Sequence, residues 1–317
     1  MSSQVYTNQN NNPVPIRLVT AGSTDHNPPA LKRKTKQENC LLICTYNTRT
    51  LASTEKMLDF KNAIETINYD VIGLSEIRRQ GYSIEEDETH IFCYYGETQG
   101  HLGVGFLLRK KYKINIMSFV GLSERVAVLN LRFENQTMSI IQVHAPTSAS
   151  PDEDIETFYH TIEQAQLISE KKQFIIGDFN AITGIPKKEE NFITGDYGSG
   201  VRNKRGHRLI QFATENKLTI VNTLFHKNFK QRWTWISPDK NTKNEIDYIL
   251  TTHSKTIRNY EVLTPKFPSD HRLLRTTVMV SNQKVIRRKF QKPLPHVFKN
   301  EEDSSRYKKK LQENICA

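Results

Sequence analysis

Cysteine is scarce. The 317 residues hold four, Cys40, Cys44, Cys93 and Cys316, with no C-x-x-C pair and no Cys/His cluster at zinc spacing. That pattern argues against a disulfide scaffold or a structural zinc site, and a reduced, intracellular setting is expected. Long apolar runs are missing too. None approaches the roughly 20 residues that a membrane-spanning helix needs, so no membrane partner is expected. The first residues, Met1 to Asn12, are rich in Ser, Gln and Asn and lack the apolar stretch of a secretion signal. There is no repeat at solenoid period. What is present supports a sizeable core, with 37% apolar and 9% aromatic side chains. This argues against wholesale disorder, collagen and coiled coil.

Basic residues outnumber acidic ones by 45 to 34, a net charge of +11. The excess sits at the ends. Residues 1–38 carry +3 and residues 281–317 carry +6, leaving +2 for 39–280. A run such as Lys308-Lys309-Lys310 neutralises phosphate well, and it equally suits a solubilising tail. Charge therefore points toward a polyanion without establishing one.

Residues 1–38 are polar, proline-containing and aperiodic, and are read as disordered. Residues 39–280 form the folded domain, and 281–317 a basic C-terminal tail. Within the domain, short apolar runs predict strands at 41–46, 71–74, 91–95, 103–109, 113–119, 126–133, 137–143 and 173–177. Further strands are expected at 218–222, 232–236, 246–250, 258–263 and 273–280. Met57, Phe60, Ile64 and Ile67 recur at helical spacing. A second helix is expected from Ser150 as cap and Pro151 as first residue, through the acids Asp152 and Glu153, to about Lys171. A third covers roughly 205–216. Gly103 and Gly105 sit in a strand, where they permit close packing. Trp233 and Trp235 alternate, which suggests one core residue and one available to stack on a base.

Several apolar strands end in a residue able to do chemistry: Asn47, Glu76, His144, Asp178 and Asp247. One such ending only marks where a strand meets water. Five together are more than that, because mixed α/β folds gather functional groups at strand ends.

Read in order, the pieces are Tyr46-Asn47-Thr48-Arg49, Ser75-Glu76-Ile77-Arg78, Gly103-Val104-Gly105, Ser123-Glu124-Arg125, His144-Ala145-Pro146-Thr147, Gly177-Asp178-Phe179-Asn180-Ala181, Ile246-Asp247-Tyr248 and Ser269-Asp270-His271. This series resembles the endonuclease/exonuclease/phosphatase superfamily over about residues 40–280. Within it, Gly206, Arg208-Leu209, Asn222-Thr223-Leu224-Phe225 and Trp235-Ile236-Ser237-Pro238-Asp239 make the chain most similar to the endonuclease domain of RTE-like non-long-terminal-repeat retrotransposons and their domesticated host relatives.

The resemblance implies a deoxyribonuclease I-like fold: a four-layer α/β sandwich of two mostly antiparallel sheets face to face, with outer helices. It also implies site roles. Glu76 is the principal ligand of Mg2+ (Mn2+ as substitute), with Asn47 orienting it or assisting the ion and Asp270 nearby. A hard cation of this kind favours carboxylate oxygens. Asp178 aligns or deprotonates water, Asn180 donates to a phosphoryl oxygen, and Asp247 pairs with His271. Base, acid and charged clamp are all open roles for that histidine. His144 is placed to assist the leaving oxygen, and Arg49 and Arg125 to contact DNA phosphate.

Two departures matter. Arg49 and His144 stand where the abasic-site repair branch has a carboxylate and a tyrosine, and the deoxyribonuclease I branch matches here at both. Abasic-site specificity is not carried over.

The leading functional expectation is a Mg2+-dependent DNA endonuclease leaving 3′-hydroxyl and 5′-phosphate ends, as in retroelement target-site nicking. The alternatives are another metal-dependent phosphoesterase of the superfamily, or a non-catalytic nucleic-acid-binding protein left by the element. No Y-x-D-D-like polymerase motif occurs and 37 residues follow Val280, so a fragment, a truncated element and a domesticated gene are each expected possibilities. DNA as partner, with Lys32-Arg33-Lys34 as a short basic run, suggests a nuclear location.

Overall fold

A computed structural model describes residues 40–134, 136–280, 301–302 and 305–306. The readings for residues 1–38 and for most of 281–317 lie outside these. Residues 301–302 and 305–306 are helical. No helix among the described residues is long and apolar enough to cross a membrane.

In chain order the elements are β1 (Cys40–Asn47), α1 (Thr54–Ala63), β2 (Val71–Ser75), β3 (Gly81–Glu86), β4 (His90–Gly96), β5 (Val104–Arg109), β6 (Ile116–Ser123), β7 (Val126–Phe133), β8 (Gln136–His144) and α2 (Asp152–Leu167). There follow β9 (Gln173–Asp178), α3 (Lys204–Glu215), β10 (Thr219–Ile220), β11 (Trp235–Ile236), β12 (Lys243–Asn244), β13 (Asp247–Thr251), β14 (Ile257–Leu263) and β15 (Leu273–Met279). They make one sheet in the order β14-β15-β1-β2-β5-β4-β3, a second in the order β10-β13-β9-β8-β7-β6, and the small hairpin β11-β12.

Three apolar cores define four layers. Between the sheets pack Leu41, Ile43, Val71 and Phe106 from the first and Leu129, Ile140, Phe174 and Ile249 from the second. On the outer face of the first sheet, Cys44, Tyr46 and Leu74 meet Met57 and Phe60 of α1. On the outer face of the second, Ile141, Ile175 and Leu250 meet Phe158 and Ile162 of α2 and Leu209 and Phe212 of α3. Central strands are buried on both faces, which is why they read as continuous apolar runs rather than as alternation. The two-sheet sandwich with outer helices is the expected architecture.

Each sheet contains one parallel pair. β1 runs beside β2, crossing over through α1, with Asn47 level with Ser75. β8 runs beside β9, crossing over through α2, with His144 level with Asp178. Parallel strands finish at the same edge, so four strand tips meet at one end of the sandwich. β13 is antiparallel to β9 and brings Asp247 level with Asp178. β15 is antiparallel to β1, which returns Asp270 and His271 to the tip of β1.

Local details differ from expectation. Ser150 does not cap α2: Pro151 holds the cap position with no side-chain bond, and the helix starts at Asp152. The first-turn acid Asp152 instead pairs with Lys204 and Arg205 near the start of α3. α2 ends at Leu167, and α1 ends at Ala63, although Ile64 and Ile67 beyond it still pack on the sheet. β3 was not foreseen. It is an edge strand in which two residues, Tyr82 and Ile84, pack against the inter-sheet core, too short an alternation to stand out. β12 is shorter still.

Gly73 in β2 permits a close approach of the two sheets. A Cβ there would lie 1.9 Å from Gln142 Oε1 and 2.9 Å from Ile176 Cδ1. The Gln142 oxygen accepts a bond from Thr45 Oγ1 at 3.0 Å, joining β8 to β1 across the sandwich. Gly73→Ala is expected to break that bond and to destabilise the fold by about 1–3 kcal/mol through overpacking. Urea unfolding checks it; an unchanged midpoint would show that Gln142 has room to move.

Candidate active site

The strand tips deliver their side chains into one hydrogen-bonded cluster. Asn47, the last residue of β1, donates from Nδ2 to Glu76 Oε1 at 3.0 Å and to Asp178 Oδ2 at 3.2 Å. Its own Oδ1 accepts from the Arg49 amide at 3.0 Å. Glu76 follows β2 directly and takes a second bond from Arg78 Nη2, to Oε2 at 2.9 Å. His144 ends β8. Its Nε2 lies 3.8 Å from Glu76 Oε1 and 4.0 Å from Asp178 Oδ2. His271 donates from Nδ1 to Asp247 Oδ2 at 3.0 Å, and its Nε2 faces Asp178 Oδ2 at 3.6 Å.

The remaining predicted residues join the same network. Asn180 closes a turn by donating its amide to Asp178 Oδ1 at 2.9 Å, and its Nδ2 donates to Ala145 O at 2.9 Å. Asp270 accepts from the Trp235 indole at 3.1 Å and has Arg49 Nε 3.6 Å from its other oxygen. Arg125 donates to the His144 carbonyl at 3.1 Å. Ser269 ties the two chain regions together by donating to Asn47 O at 2.8 Å. The structure thus gathers every residue singled out from the sequence.

The backbone around the site is held in an uncommon conformation. Arg49, Glu76, Arg78 and Asn180 have φ of 58°, 52°, 57° and 48°. Asn tolerates the left-handed region, but Glu and Arg do so at a cost of order 1–3 kcal/mol. Such strain persists only where surrounding contacts over-determine it. At Glu76 those contacts are the bonds from Asn47 and Arg78.

Burial and charge set the protonation states. Burial pulls the His271 imidazole down, but the Asp247 and Asp178 carboxylates outweigh it and push the group up to about 9. Burial pushes Asp178 upward. The proton they compete for belongs on the imidazole, which has a carboxylate at each nitrogen. His144 is the opposite case: burial dominates over the nearby Asp178 and Glu76 and lowers it, so it is neutral. For Glu76, burial works upward, yet the bonds from Arg78 and Asn47 with the nearby His144 hold it below the usual carboxylate range.

The carboxylates of the site differ in what they offer a cation. Asp178, Asp247 and His271 offer ligand atoms within 4.8 Å of one another. A charged imidazole has no lone pair to give, so this trio is better described as an ionic bridge than as a metal nest. Glu76 and Asp270 fit a hard cation better. Asp270 Oδ1 is buried and accepts no hydrogen bond, its nearest charged neighbour being Arg49 Nε at 3.6 Å, which leaves it open to an ion or water. Asp247 Oδ1 and His144 Nδ1 are likewise unpartnered.

Reading the sequence missed three participants. Arg78 was seen only as a neighbour of Glu76. Ser269 carried no signal beyond its place beside Asp270. The tryptophans were misread: neither is in the core. Trp233 lies between Arg272 and Lys243, 4.3 Å and 5.0 Å from its ring centre, and Trp235 is bonded to Asp270.

The His271 charge has a consequence for stability. Its pKa is raised in the folded state, so protonation favours folding. The contribution is complete below the ordinary value of about 6.5 and is lost as pH rises through about 9. With chelator present, the stability gap between the parent and His271→Asn is expected to shrink by about 3 kcal/mol from pH 6 to 10, read by urea unfolding. A gap constant over that range refutes the charged imidazole.

Comparison with known proteins is consistent with this arrangement. The model of the endonuclease/exonuclease/phosphatase family matches residues 44–271. Craniofacial development protein 2 of Bos taurus is 33% identical over 220 residues, 68% of this chain and 36% of that protein. The chain therefore spans about a third of the length of the curated relatives it matches. Among solved structures, the AP endonuclease LMAP from Leishmania major covers 80% of this chain and 92% of its own at 11% identity, with a TM-score of 0.56. The endonuclease domain of TRAS1, a telomere-specific non-LTR retrotransposon, covers 76% of this chain and all of its own at 13% identity, with a TM-score of 0.52. At such identities these two speak for the fold alone. With its family motif spanning both sheets and every strand tip of the cluster, the chain belongs to the endonuclease/exonuclease/phosphatase family.

Proposed function

We propose that the chain is a Mg2+-dependent DNA endonuclease, derived from a retroelement, that hydrolyses a phosphodiester to 3′-hydroxyl and 5′-phosphate ends. The observation that carries this reading is the closure of Asn47, Glu76, His144, Asp178, Asp247 and His271 into one chain of contacts, each step between 3.0 and 4.0 Å. In sequence they are spread over more than two hundred residues.

Glu76 and Asp270 would hold the cation, and Asn47 aims Glu76 through its N–H bond. Bound there, a divalent ion supplies positive charge to the phosphoryl and leaving oxygens. Asp178 orients the attacking water and takes its proton, a role its burial-raised basicity favours. Asn180 has one amide proton free for a phosphoryl oxygen. His271 is already charged, so it cannot serve as base. It acts as a fixed cation against the developing charge on phosphorus oxygens, held by Asp247. Neutral His144 is suited to donate toward the leaving 3′ oxygen. Arg49, largely exposed, and Arg125, which also donates to the His144 carbonyl, are the phosphate contacts.

DNA as substrate is supported by the basic flanking sequence and by the retroelement-like segments at 206–225 and 235–239. A nick of this kind leaves a 3′-hydroxyl from which a polymerase can prime. A nuclear location follows from that substrate.

Plasmid nicking in Mg2+ tests the reading. Glu76→Ala and His271→Ala are each expected to lower the rate by about 10²–10³, the usual loss for removing a group that stabilises developing charge. Variants that nick like the parent would show the site is misassigned. A parent inactive on DNA across metals and salt, but active on inositol phosphate or sphingomyelin, would replace the nuclease by another phosphoesterase.

A further inference from the structure

We infer that the segment Arg232–Trp235 (R-W-T-W) is a positioning strap that sets two acids, Asp247, which is bonded to the catalytic histidine, and Asp270, which precedes it in the chain, on the nuclease reading given above. It touches no reacting atom itself. Thr234 is fully buried, and its Oγ1 accepts from the amides of both Ile246 and Asp247 at 3.1 Å. One residue on, the Trp235 indole donates to Asp270 Oδ2 at 3.1 Å. Trp235 also bridges His271 as a strand partner, and the next amide, of Ile236, donates to Asp270 O at 3.0 Å. Consecutive residues thus fix Asp247, bonded to the imidazole, and Asp270, the residue before it.

The strap is anchored by an ion pair sealed from solvent. Arg232 donates from Nε to Glu245 Oε2 at 3.0 Å and from Nη2 to Glu245 Oε1 at 3.1 Å, both side chains being 3% exposed. Burying such a pair contributes little net stability, and its retention is better explained by the geometry it enforces. That geometry reaches Asp247 by a second route. Asn222 donates to Glu245 Oε1 at 2.9 Å and to Asp247 O at 3.1 Å, and accepts from the Ile249 amide at 3.1 Å. β10 pairs with β13 at its far end only, opposite Leu250 and Thr251. Asn222 therefore satisfies the stretch of β13 edge that bears Asp247, where no strand does.

A strap makes a different demand on Trp235 than base stacking would. Trp235→Phe keeps the ring and removes the N–H. It is expected to weaken Mn2+ binding about tenfold and to lower kcat about tenfold, with KM for plasmid DNA unchanged within about twofold. Mn2+ binding is read by electron paramagnetic resonance on the full chain without DNA. Thr234→Val acts on Asp247 and is expected to lower kcat about tenfold while leaving Mn2+ affinity as in the parent.

A Trp235→Phe protein with parental Mn2+ affinity and kcat overturns the strap, even if Thr234→Val fails to fold. A rise in KM alone, for Trp235→Leu but not for Trp235→Phe, also overturns it and assigns the ring to the nucleic acid. If the parent never nicks DNA but Trp235→Phe still weakens Mn2+ binding, the nuclease reading fails and the strap stands.

Discussion

A single imidazole between two buried carboxylates is the constraint on which the rest depends. His271 is 3.0 Å from Asp247 and 3.6 Å from Asp178, and all three are nearly sealed from water. Isolated charges in that environment would be expelled or neutralised. Together they form an array with one unit of negative charge left over. Much of the surrounding structure serves that array. Asn47 holds Asp178 from one side, β13 presents Asp247 from the other, and the buried Arg232–Glu245 pair stiffens the backbone behind.

The sandwich provides the place. In each sheet a helix crossover produces one parallel pair, and the two pairs pack across the core with their C-terminal ends at the same edge. Four loops therefore begin within a few ångströms of each other. Three of them turn at once through left-handed residues, at Arg49, at Glu76 and Arg78, and at Asn180. The backbone there trades local comfort for direction, as is common where a site must be rigid.

How much of this was legible depended on what the neighbours contribute. Central strands such as β1, β2 and β9 were plain because burial on both faces demands unbroken apolar runs. The polar residue ending each run announced the site. The four-layer pairing was not in any local pattern and came from the family resemblance. Edge strand β3 escaped notice because two packed residues are too weak a period. Pro151 rather than Ser150 holds the cap of α2, and of the acids at that end Asp152 pairs with Lys204 and Arg205. The part played by Trp235 was hidden for a related reason: alternation records which way a ring points, not what its N–H meets.

The tip of β1 and the start of β15 are joined by the Ser269–Asn47 bond, between residues 222 positions apart. Closing so long a loop is entropically slow, and contacts of that span are usually among the last to form. The nascent chain can assemble both sheets' central hairpins before it owns a working centre. Competence for chemistry thus requires that β1 and β15, far apart in the chain, have found each other.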